Sequence, residues 1–221
     1  ALVMNVVWCY RVGLRDHFAY REKKKPLLIG IGGDSGTGKS TLADLFTKFF
    51  DEGNVVRVEG DDAHRWPRGH ENWEVFTHLD PKSNRLHRDL RHAIALKVGR
   101  PIERVHYDHK TGRFTNPEKM ESSKVILFEG LHSYMLKRTR DLFDVKIFLE
   151  PEENLRIHWK LLRDTQERGH ERDKVLEQLK KRSQDSEKFI RPQRELADIV
   201  VSYELTRPLQ ALGSSEVKCE L

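Results

Sequence analysis

A glycine-rich segment that directly follows a short apolar run is the feature that most constrains the fold of this chain. The segment reads Gly33-Asp34-Ser35-Gly36-Thr37-Gly38-Lys39-Ser40, and the apolar run before it is Leu27–Ile31. It fits the pattern G-x-x-x-x-G-K-[ST], in which small residues let successive backbone N–H groups point at phosphate oxygens. The residues from Thr41 to Phe50 then have apolar side chains at helical spacing. This order of strand, loop and helix predicts a site for ATP or GTP and disfavours the alternative, a glycine-rich turn without a ligand.

Two side chains and one helix end in this segment are suited to act on phosphates directly. The helix that begins here presents its positive end to an anion. Lys39 can reach the β- and γ-phosphates, and the Ser40 hydroxyl can bind Mg²⁺. We therefore expect the residues from Gly33 to Thr41 to bind the nucleotide, with Mg²⁺ as the cofactor.

The rest of the chain alternates between short apolar segments and longer segments with helical spacing. Several short segments are apolar at every position, which is typical of parallel strands covered by helices on both faces. The predicted strands are Leu27–Ile31, Val55–Glu59, Val125–Glu129, Val145–Leu149 and Ala197–Val201, and the predicted helices are Thr41–Phe50, Leu86–Lys97, Pro151–Arg168 and Glu171–Phe189. The alternation predicts an α/β fold with a doubly wound parallel sheet, flanking helices and ligands at the carboxyl ends of the strands.

Composition and charge exclude some classes of function. Charged residues make up 34% of the 221 residues and the mean hydropathy is −0.69, so we expect no segment to cross a membrane. The net charge of +5 is spread over interspersed acidic and basic residues without a motif that reads nucleic acid, so anionic small molecules are the expected partners. Cys9 and Cys219 lie near opposite ends and make no disulfide framework, which favours a reducing cytoplasm.

The predicted domain organisation has three parts. Residues 1–25 are expected to be an N-terminal extension or the end of an upstream domain, because an apolar segment precedes a basic cluster there, the reverse of a signal peptide. Residues 26–207 form the predicted nucleotide-binding domain. Residues 208–221 are predicted to be a C-terminal tail with a loop-like composition.

Acidic residues follow two of the other predicted strands. Asp61 and Asp62 come directly after the second strand, and Glu129 ends the third. Enzymes that transfer a phosphoryl group need one carboxylate that accepts the proton of the attacking hydroxyl and another near the metal. Glu129 is therefore a candidate metal ligand beside Ser40, and one of the two aspartates is a candidate base. The alternative for the aspartates is a pair that caps a turn.

A charged segment ends the predicted helix that begins at Pro151. It contains Arg163, Asp164 and Arg168 and is followed by Gly169. Arg163 and Arg168 do not share a helical face, so a salt-bridged surface helix explains them poorly. Arginines on a helix end that closes over ATP would stabilise the transferring phosphoryl group. The sequence thus favours a helical lid, with a solvated charged helix as the alternative.

Several short motifs occur in a characteristic order along the chain. They are Gly33–Ser40, Glu59–His64, Leu79–Pro81, Tyr107–Gly112, Phe128–His132, Arg163–Gly169, Pro192–Gln193 and Ala197–Asp198. In this order they resemble the motifs of the phosphoribulokinase and uridine kinase family of P-loop small-molecule kinases. The Glu-Gly-Leu-His and His-x-Thr-Gly runs are more similar to phosphoribulokinases, whereas the length of the chain is closer to that of a uridine kinase.

The resemblance implies roles for individual residues. It implies that Asp61 is the general base, that Glu129 is the acidic residue at the metal, and that Asp164 is a carboxylate needed for catalysis. Lys39 and Arg168 complete the catalytic set, and Arg163 joins the glycine-rich segment in binding ATP. The acceptor-binding residues implied in this way are Asp62, His64, Arg68, Tyr107, His109 and Lys160.

The expected reaction is the transfer of the γ-phosphoryl group of ATP to a hydroxyl of a pentose phosphate or a similar anionic polyol. The arginines in the segment from His64 to His70 favour a phosphorylated acceptor, because an arginine fork matches a phosphate. The alternative is a uridine or cytidine kinase, in which Trp66 and Trp73 would stack on a base. An inactive nucleotide-binding module is less favoured because the base and the lid residues are present. We also expect a homo-oligomer.

Overall fold

The computed structural model describes residues 2–7 and 25–205 of the chain. The predicted N-terminal extension, residues 1–25, lies largely outside the described residues, and so do the predicted tail, residues 208–221, and both Cys9 and Cys219. The domain boundaries at residues 26 and 207 therefore stay predictions.

A six-stranded sheet forms the centre of the molecule. In chain order, the strands are β1 Leu2–Val7, β2 Leu27–Gly33, β3 Val55–Glu59, β4 Ile102–Arg104, β5 Tyr107–Asp108, β6 Arg113–Phe114, β7 Glu118–Met120, β8 Val125–Gly130, β9 Val145–Leu149 and β10 Ile199–Leu205. The central sheet has the order β1-β10-β9-β2-β8-β3, in which all neighbours from β10 to β3 are parallel. The edge strand β1 pairs with β10 in the antiparallel direction. The remaining strands form two small antiparallel pairs, β4 with β7 and β5 with β6.

Helices connect the strands of the central sheet. They are α1 Lys39–Phe50, α2 Asn72–Val75, α3 Leu86–Lys97, α4 Lys137–Arg140, α5 Glu153–Leu162 and α6 Arg172–Asp185, with short 3-10 turns at Glu52–Asn54, Gly60–Ala63, Pro81–Ser83 and Arg191–Leu196. α5 continues into a π-helical turn at Arg163–Glu167, and α6 continues into another at Ser186–Ile190. Turns of this kind are rare in proteins, and those that occur are often found at functional sites.

Apolar side chains of the parallel strands pack on both faces of the sheet. On β2, Leu28 belongs to a buried cluster that includes residues of α3, whereas its neighbour Ile29 belongs to a second cluster that includes Ala43 of α1. On β8, Ile126 and Leu127 divide between the same two clusters. Because helices cover both faces, the strands need apolar side chains at successive positions. Polar side chains are therefore concentrated at the carboxyl ends of the strands, where a ligand can reach them.

The predicted α/β class and the five predicted parallel strands are confirmed. The last strand begins at Ile199 rather than Ala197, because a 3-10 helix occupies the residues up to Leu196. The predicted helix from Pro151 to Arg168 begins at Glu153 and changes to a π turn at Arg163. Strands β4 to β7 were not predicted, because each has only two or three residues, too few to show a period. Within the described ranges, no helix has the length and apolar character that crossing a membrane requires.

Candidate functional site

A large cleft opens at the carboxyl ends of β2, β3 and β8, beneath α5 and α6. Its volume is about 1100 Å³, whereas pockets for one small ligand usually measure about 300–1,000 Å³. The predicted site residues that line it are Ser35, Gly36, Thr37, Gly38, Lys39, Ser40, Thr41, Asp61, His64, Arg68, Tyr107, His109, Glu129, Lys160, Arg163, Asp164 and Arg168. Tertiary structure thus brings together residues from distant segments of the chain, in a cleft with room for two substrates.

The glycine-rich loop between β2 and α1 forms one wall of the cleft. Gly36 has a φ of +85°, and a Cβ atom there would lie 2.8 Å from the Cβ of Lys160, so the loop contacts α5 closely. Gly38, with a φ of +88°, turns the chain into α1. The Thr37 hydroxyl donates to the Asp34 carbonyl at 2.9 Å, which closes the loop on itself. The conformation requires glycine at these two turns.

Lys39 lies at the centre of this loop. Its Nζ donates to the carbonyls of Gly33 at 3.0 Å and Asp34 at 2.6 Å. Burial lowers the pKa of Lys39, although the charges of Asp61, Asp34 and Glu129 oppose the shift. An ammonium group in this position can exchange carbonyl contacts for phosphate oxygens.

Ser40 and Glu129 are paired at the floor of the cleft. The Ser40 hydroxyl donates to Oε2 of Glu129 at 3.0 Å, and Nη2 of Arg57 donates to Oε1 of Glu129 at 2.6 Å. Arg57 also pairs with Asp44. We did not predict Arg57 from the sequence, although a lone cation inside the apolar strand β3 was a usable signal. Hydroxyl and carboxylate oxygens are the ligands that Mg²⁺ prefers, and this ion usually takes only one or two protein ligands beside substrate phosphates.

Asp61 lies in the 3-10 turn after β3 and faces the cleft. His109 Nε2 lies 3.1 Å from its Oδ2, and His64 Nε2 lies 3.8 Å from its Oδ1. Burial raises the pKa of Asp61, but the hydrogen bond from His109 and the charges of nearby histidines outweigh burial and bring it well below its usual range. The carboxylate is therefore ionised and can accept a proton. Asn84 holds the ring of His64, with its Oδ1 2.9 Å from Nδ1.

Asp62 points away from the cleft, although it follows Asp61 directly. Its side chain is only 2% exposed. Its Oδ2 accepts from Nε of Arg104 at 3.0 Å, and its Oδ1 accepts from the backbone N–H of Tyr107 at 2.8 Å. Arg104 is fully buried and also pairs with Asp89 at 2.7 Å. The substrate-binding role predicted for Asp62 is therefore corrected, because both carboxylate oxygens are used by the scaffold.

Asp164 lies at the centre of a cationic cluster on the opposite wall. Its carboxylate is 2.6 Å from Lys160 Nζ, 2.9 Å from Arg163 Nη2 and 3.6 Å from Arg168 Nη1. Burial raises the pKa of Asp164, but the charges of Lys160 and Arg163 bring it to about 2. Burial lowers the pKa of Lys160 to about 8, although Asp164 opposes this shift. The carboxylate thus orients cations that face the glycine-rich loop.

Two contacts tie this wall to the glycine-rich loop. Lys160 Nζ donates to the Ser35 hydroxyl at 3.2 Å, and Arg156 Nη1 donates to the Ser35 carbonyl at 2.9 Å. Arg156, which we did not predict, is held in turn by Glu153 at 2.6 Å. Asp34 lies behind the loop, where its carboxylate accepts from the Ser186 hydroxyl. Gly33 and Asp34 therefore shape the loop without lining the cleft.

Aromatic and basic residues form the outer end of the cleft. Arg68 is exposed, and its Nη2 donates to the His109 carbonyl at 2.5 Å. The ring of Tyr107 lies between those of His64 and His109, with centroids 5.3 and 5.2 Å away. Trp73 lines the cleft. Trp66 packs instead within an aromatic cluster against His70, Trp73 and Phe76.

The parallel sheet, with its glycine-rich loop between β2 and α1, defines the protein as a P-loop nucleotide-binding protein. The chain belongs to the phosphoribulokinase/uridine kinase family, because the model of the "Phosphoribulokinase / Uridine kinase family" matches residues 28–207. The resemblance seen in the sequence motifs is thereby confirmed.

Individual relatives come from both branches of that family. The chain is 35% identical to a phosphoribulokinase of Synechocystis sp. over 88% of this chain and 59% of that protein. It is 32% identical to a uridine kinase of Clostridium tetani over 80% of this chain and 87% of that protein. The solved phosphoribulokinase from Rhodobacter spheroides is 25% identical, with a TM-score of 0.62 over 81% of this chain and 71% of that one. The chain thus spans only 59% of the length of the cyanobacterial phosphoribulokinase.

Proposed function

We propose that this protein is an ATP-dependent kinase that transfers the γ-phosphoryl group to a hydroxyl of a pentose phosphate or a similar sugar or polyol phosphate. The observation that carries the proposal is the position of Asp61. Its ionised carboxylate faces a cleft that has the glycine-rich loop on one wall and basic side chains on the other. A hydroxyl bound there lies between a base and the nucleotide phosphates.

The reaction is an in-line transfer in which Asp61 accepts the proton. The acceptor oxygen bonds to the γ-phosphorus as the bond to the β-γ bridging oxygen breaks, and ADP leaves with that oxygen. The hydroxyl proton passes to the Asp61 carboxylate. Lys39 on the loop and Arg163 and Arg168 on the lid stabilise the charge on the transferring group.

Ser40 and Glu129 are the residues that would hold Mg²⁺. The ion would supply positive charge to the β- and γ-phosphate oxygens when it is bound. The contact of Arg57 with one Glu129 oxygen leaves the other oxygen beside Ser40, which keeps an oxygen pair facing the cleft.

The acceptor contacts that we propose are His64, Arg68, Tyr107, His109 and Lys160. Support for an anionic acceptor comes from the excess of cationic groups, since the wall that faces the loop carries Lys160, Arg163 and Arg168 around a single Asp164. The relative in Synechocystis sp. is a phosphoribulokinase, which agrees with a phosphorylated acceptor. The homo-oligomeric state and the cytoplasmic location stay predictions.

A uridine or cytidine kinase is the second candidate. The uridine kinase of Clostridium tetani favours this candidate, because the alignment covers 87% of that protein. Trp73 also favours it, since its ring lines the cleft beside that of His64, with centroids 5.5 Å apart. A base stacked on Trp73 would lie close to the proposed acceptor residues.

An acceptor competition decides between the two. Purified protein with ATP and Mg²⁺ is assayed for ADP release with pentose 5-phosphates, the same pentoses without phosphate, uridine and cytidine. We expect kcat/KM for a pentose phosphate to exceed that for either nucleoside at least about tenfold, because a charge-assisted contact adds about 1.5–3 kcal/mol. A preference for uridine or cytidine supports the second candidate instead. Absence of turnover with every acceptor supports an inactive nucleotide-binding module.

A further inference from the structure

We propose that Arg182, with His78 beside it, binds the phosphate group of the acceptor. This inference rests on the proposed function and adds to it a specificity-determining site that the sequence motifs do not include. Both side chains line the cleft, Arg182 from α6 and His78 from the segment before the Pro81–Ser83 turn.

Arg182 differs from the other described arginines of the cleft in the contacts of its guanidinium. Within residues 25–205, no hydrogen bond or ion pair joins its side chain to another residue. Arg57, Arg163 and Arg168 each have a carboxylate partner, and Arg68 donates to backbone carbonyls. Burial lowers the pKa of Arg182 to about 10, and the charges of Asp164, Asp34 and Asp61 oppose the shift. The group is charged at neutral pH, and a partly buried charge without a partner is costly. An anionic ligand removes that cost.

Two hydrogen bonds fix the helix end that carries Arg182, one to the glycine-rich loop and one to the segment that contains His78. The Ser186 hydroxyl, one turn further along, donates to the Asp34 carboxylate behind the glycine-rich loop. The Thr77 hydroxyl donates to Oδ2 of Asp185 at 2.6 Å and ties the segment that carries His78 to the same helix end. Residues three and four apart on a helix lie on one side of it. Arg182 is therefore held between the loop and His78 by a rigid support.

His78 links Arg182 to the acceptor side of the cleft. It follows Thr77, whose hydroxyl bonds to Asp185 one turn after Arg182, and both His78 and Arg182 line the cleft. Burial, followed by the charge of Arg182, holds the pKa of His78 well below its usual range. The ring of His78 lies 6.0 Å from that of His64. A neutral imidazole can donate one N–H to a phosphate oxygen that Arg182 binds.

Arg68, to which the sequence assigns the phosphate contact, is engaged elsewhere. The Arg68 guanidinium donates to the carbonyls of His109 at 2.5 Å and Lys110 at 3.4 Å. Arg68 as a whole is exposed to solvent. Water competes with a ligand at an exposed group more than at a partly buried guanidinium such as that of Arg182, where charge–charge attraction is stronger. Arg68 therefore contacts the acceptor at the edge of the pocket, and Arg182 binds its phosphate group.

The test compares Arg182→Gln with Arg172→Gln, which changes an exposed arginine at the start of the same helix. We expect Arg182→Gln to raise the KM for the pentose phosphate roughly 10- to 150-fold, as for a lost charge-assisted contact. The KM for ATP and the KM for the unphosphorylated pentose should change less than about twofold, and Arg172→Gln should match the wild type. Arg182→Lys, which keeps the charge and loses the fork, should lie between. Circular dichroism and urea unfolding verify that each variant is folded.

A binding measurement separates failure of this inference from failure of the proposed function. Inorganic phosphate is titrated calorimetrically into protein saturated with Mg²⁺ and a non-hydrolysable ATP analogue. We expect Arg182→Gln to weaken phosphate binding at least about tenfold and Arg172→Gln to leave it unchanged. If the wild type uses no sugar phosphate but this difference is present, the proposed function fails and Arg182 still binds phosphate. If the variant binds phosphate like the wild type, or raises only the KM for ATP, the inference is overturned.

Discussion

At the scale of single residues, the adjacent carboxylates Asp61 and Asp62 have opposite roles. The 3-10 turn Gly60–Ala63 turns one toward the cleft and the other toward Arg104. Asp61 keeps 37% of its side chain exposed and Asp62 only 2%. One carboxylate is therefore available to a substrate, and the other stabilises the segment that carries the first.

Replacement of Asp61 by asparagine tests its role as the base. The amide keeps the size of the side chain but cannot accept the hydroxyl proton, so we expect kcat to fall at least about 10²-fold. The KM for ATP should change much less than kcat, because within residues 25–205 the hydrogen-bonding and ion-pair partners of the Asp61 side chain are histidines and not the glycine-rich loop. Steady-state kinetics with ATP and the preferred acceptor give both values. A variant with wild-type kcat would show that another group removes the proton.

Replacement of Asp62 by asparagine should instead affect folding. It removes a charge from the buried pair with Arg104, which retains Asp89 as a partner. We expect the free energy of unfolding to fall by about 1–3 kcal/mol, as for a hydrogen bond to a charged group that is lost. Urea unfolding measures the change, with Asp61→Asn as the matched variant. A stable Asp62→Asn protein with a raised acceptor KM would restore the substrate-binding role first expected for this residue.

At the scale of secondary structure elements, both π turns support the glycine-rich loop, the first through Lys160 of α5 and the second directly. The first contains Asp164, which binds Lys160, and Lys160 reaches the Ser35 hydroxyl. The second begins with Ser186, which donates to Asp34. The second turn thus places a polar side chain against the loop, and the first holds the Lys160 side chain that reaches it. The loop is held by the two helices that cover it as well as by its own backbone.

The cluster around Asp164 should make stability depend on acid pH. Its pKa is about 2 in the folded protein against an ordinary value of 3.8, so the unfolded chain binds more protons between these values. This contribution is complete above pH 4 and is lost as the pH falls toward 2. We expect Asp164→Asn to flatten the rise of unfolding free energy over that interval, measured by urea unfolding at several pH values. The control is Asp173→Asn, which removes an exposed carboxylate on α6. An equal flattening in both variants would contradict the contribution of the Asp164 cluster to stability.

At the scale of the whole molecule, the cleft joins two parts of the chain that are distant in sequence. The loop and α1 form one wall, and the segment from α5 to α6 forms the other. Their direct contacts include the close approach of Gly36 to Lys160 and the hydrogen bonds that Arg156 and Lys160 donate to Ser35. A ligand that contacts both walls therefore adds interactions that span the molecule.

Nucleotide binding should stabilise the whole fold through these walls. A non-hydrolysable ATP analogue with Mg²⁺ at about 100 times its Kd adds about 2.7 kcal/mol. For a chain of this size we expect Tm to rise by about 5–11 °C, since 1 kcal/mol corresponds to about 2–4 °C. Differential scanning fluorimetry of the wild type and Lys39→Ala checks this, and the variant should show a smaller shift at the same concentration. An equal shift in both would mean that the nucleotide binds elsewhere.

The five parallel strands, the glycine-rich loop and the family could all be predicted from the amino-acid sequence alone. Continuous apolar runs such as Val125–Glu129 encode buried parallel strands through local composition, and the glycine-rich loop encodes its own conformation through Gly36 and Gly38. These features are local, so neighbouring residues suffice to specify them. The order of the motifs along the chain then predicted that the loop, the base and the lid form one site.

Which charged groups face the cleft depends on contacts between distant segments of the folded chain. Asp62 accepts a hydrogen bond from Arg104, which is 42 residues away in sequence. Arg57 reaches Glu129 from a neighbouring strand, 72 residues away. No local pattern encodes such pairs, because they depend on which segments the sheet and the helices bring into contact. Arg182 shows the same dependence. In the sequence it is one more charge on a polar helix, and in the fold it lines the cleft with no hydrogen bond or ion pair to another residue of the described part of the chain.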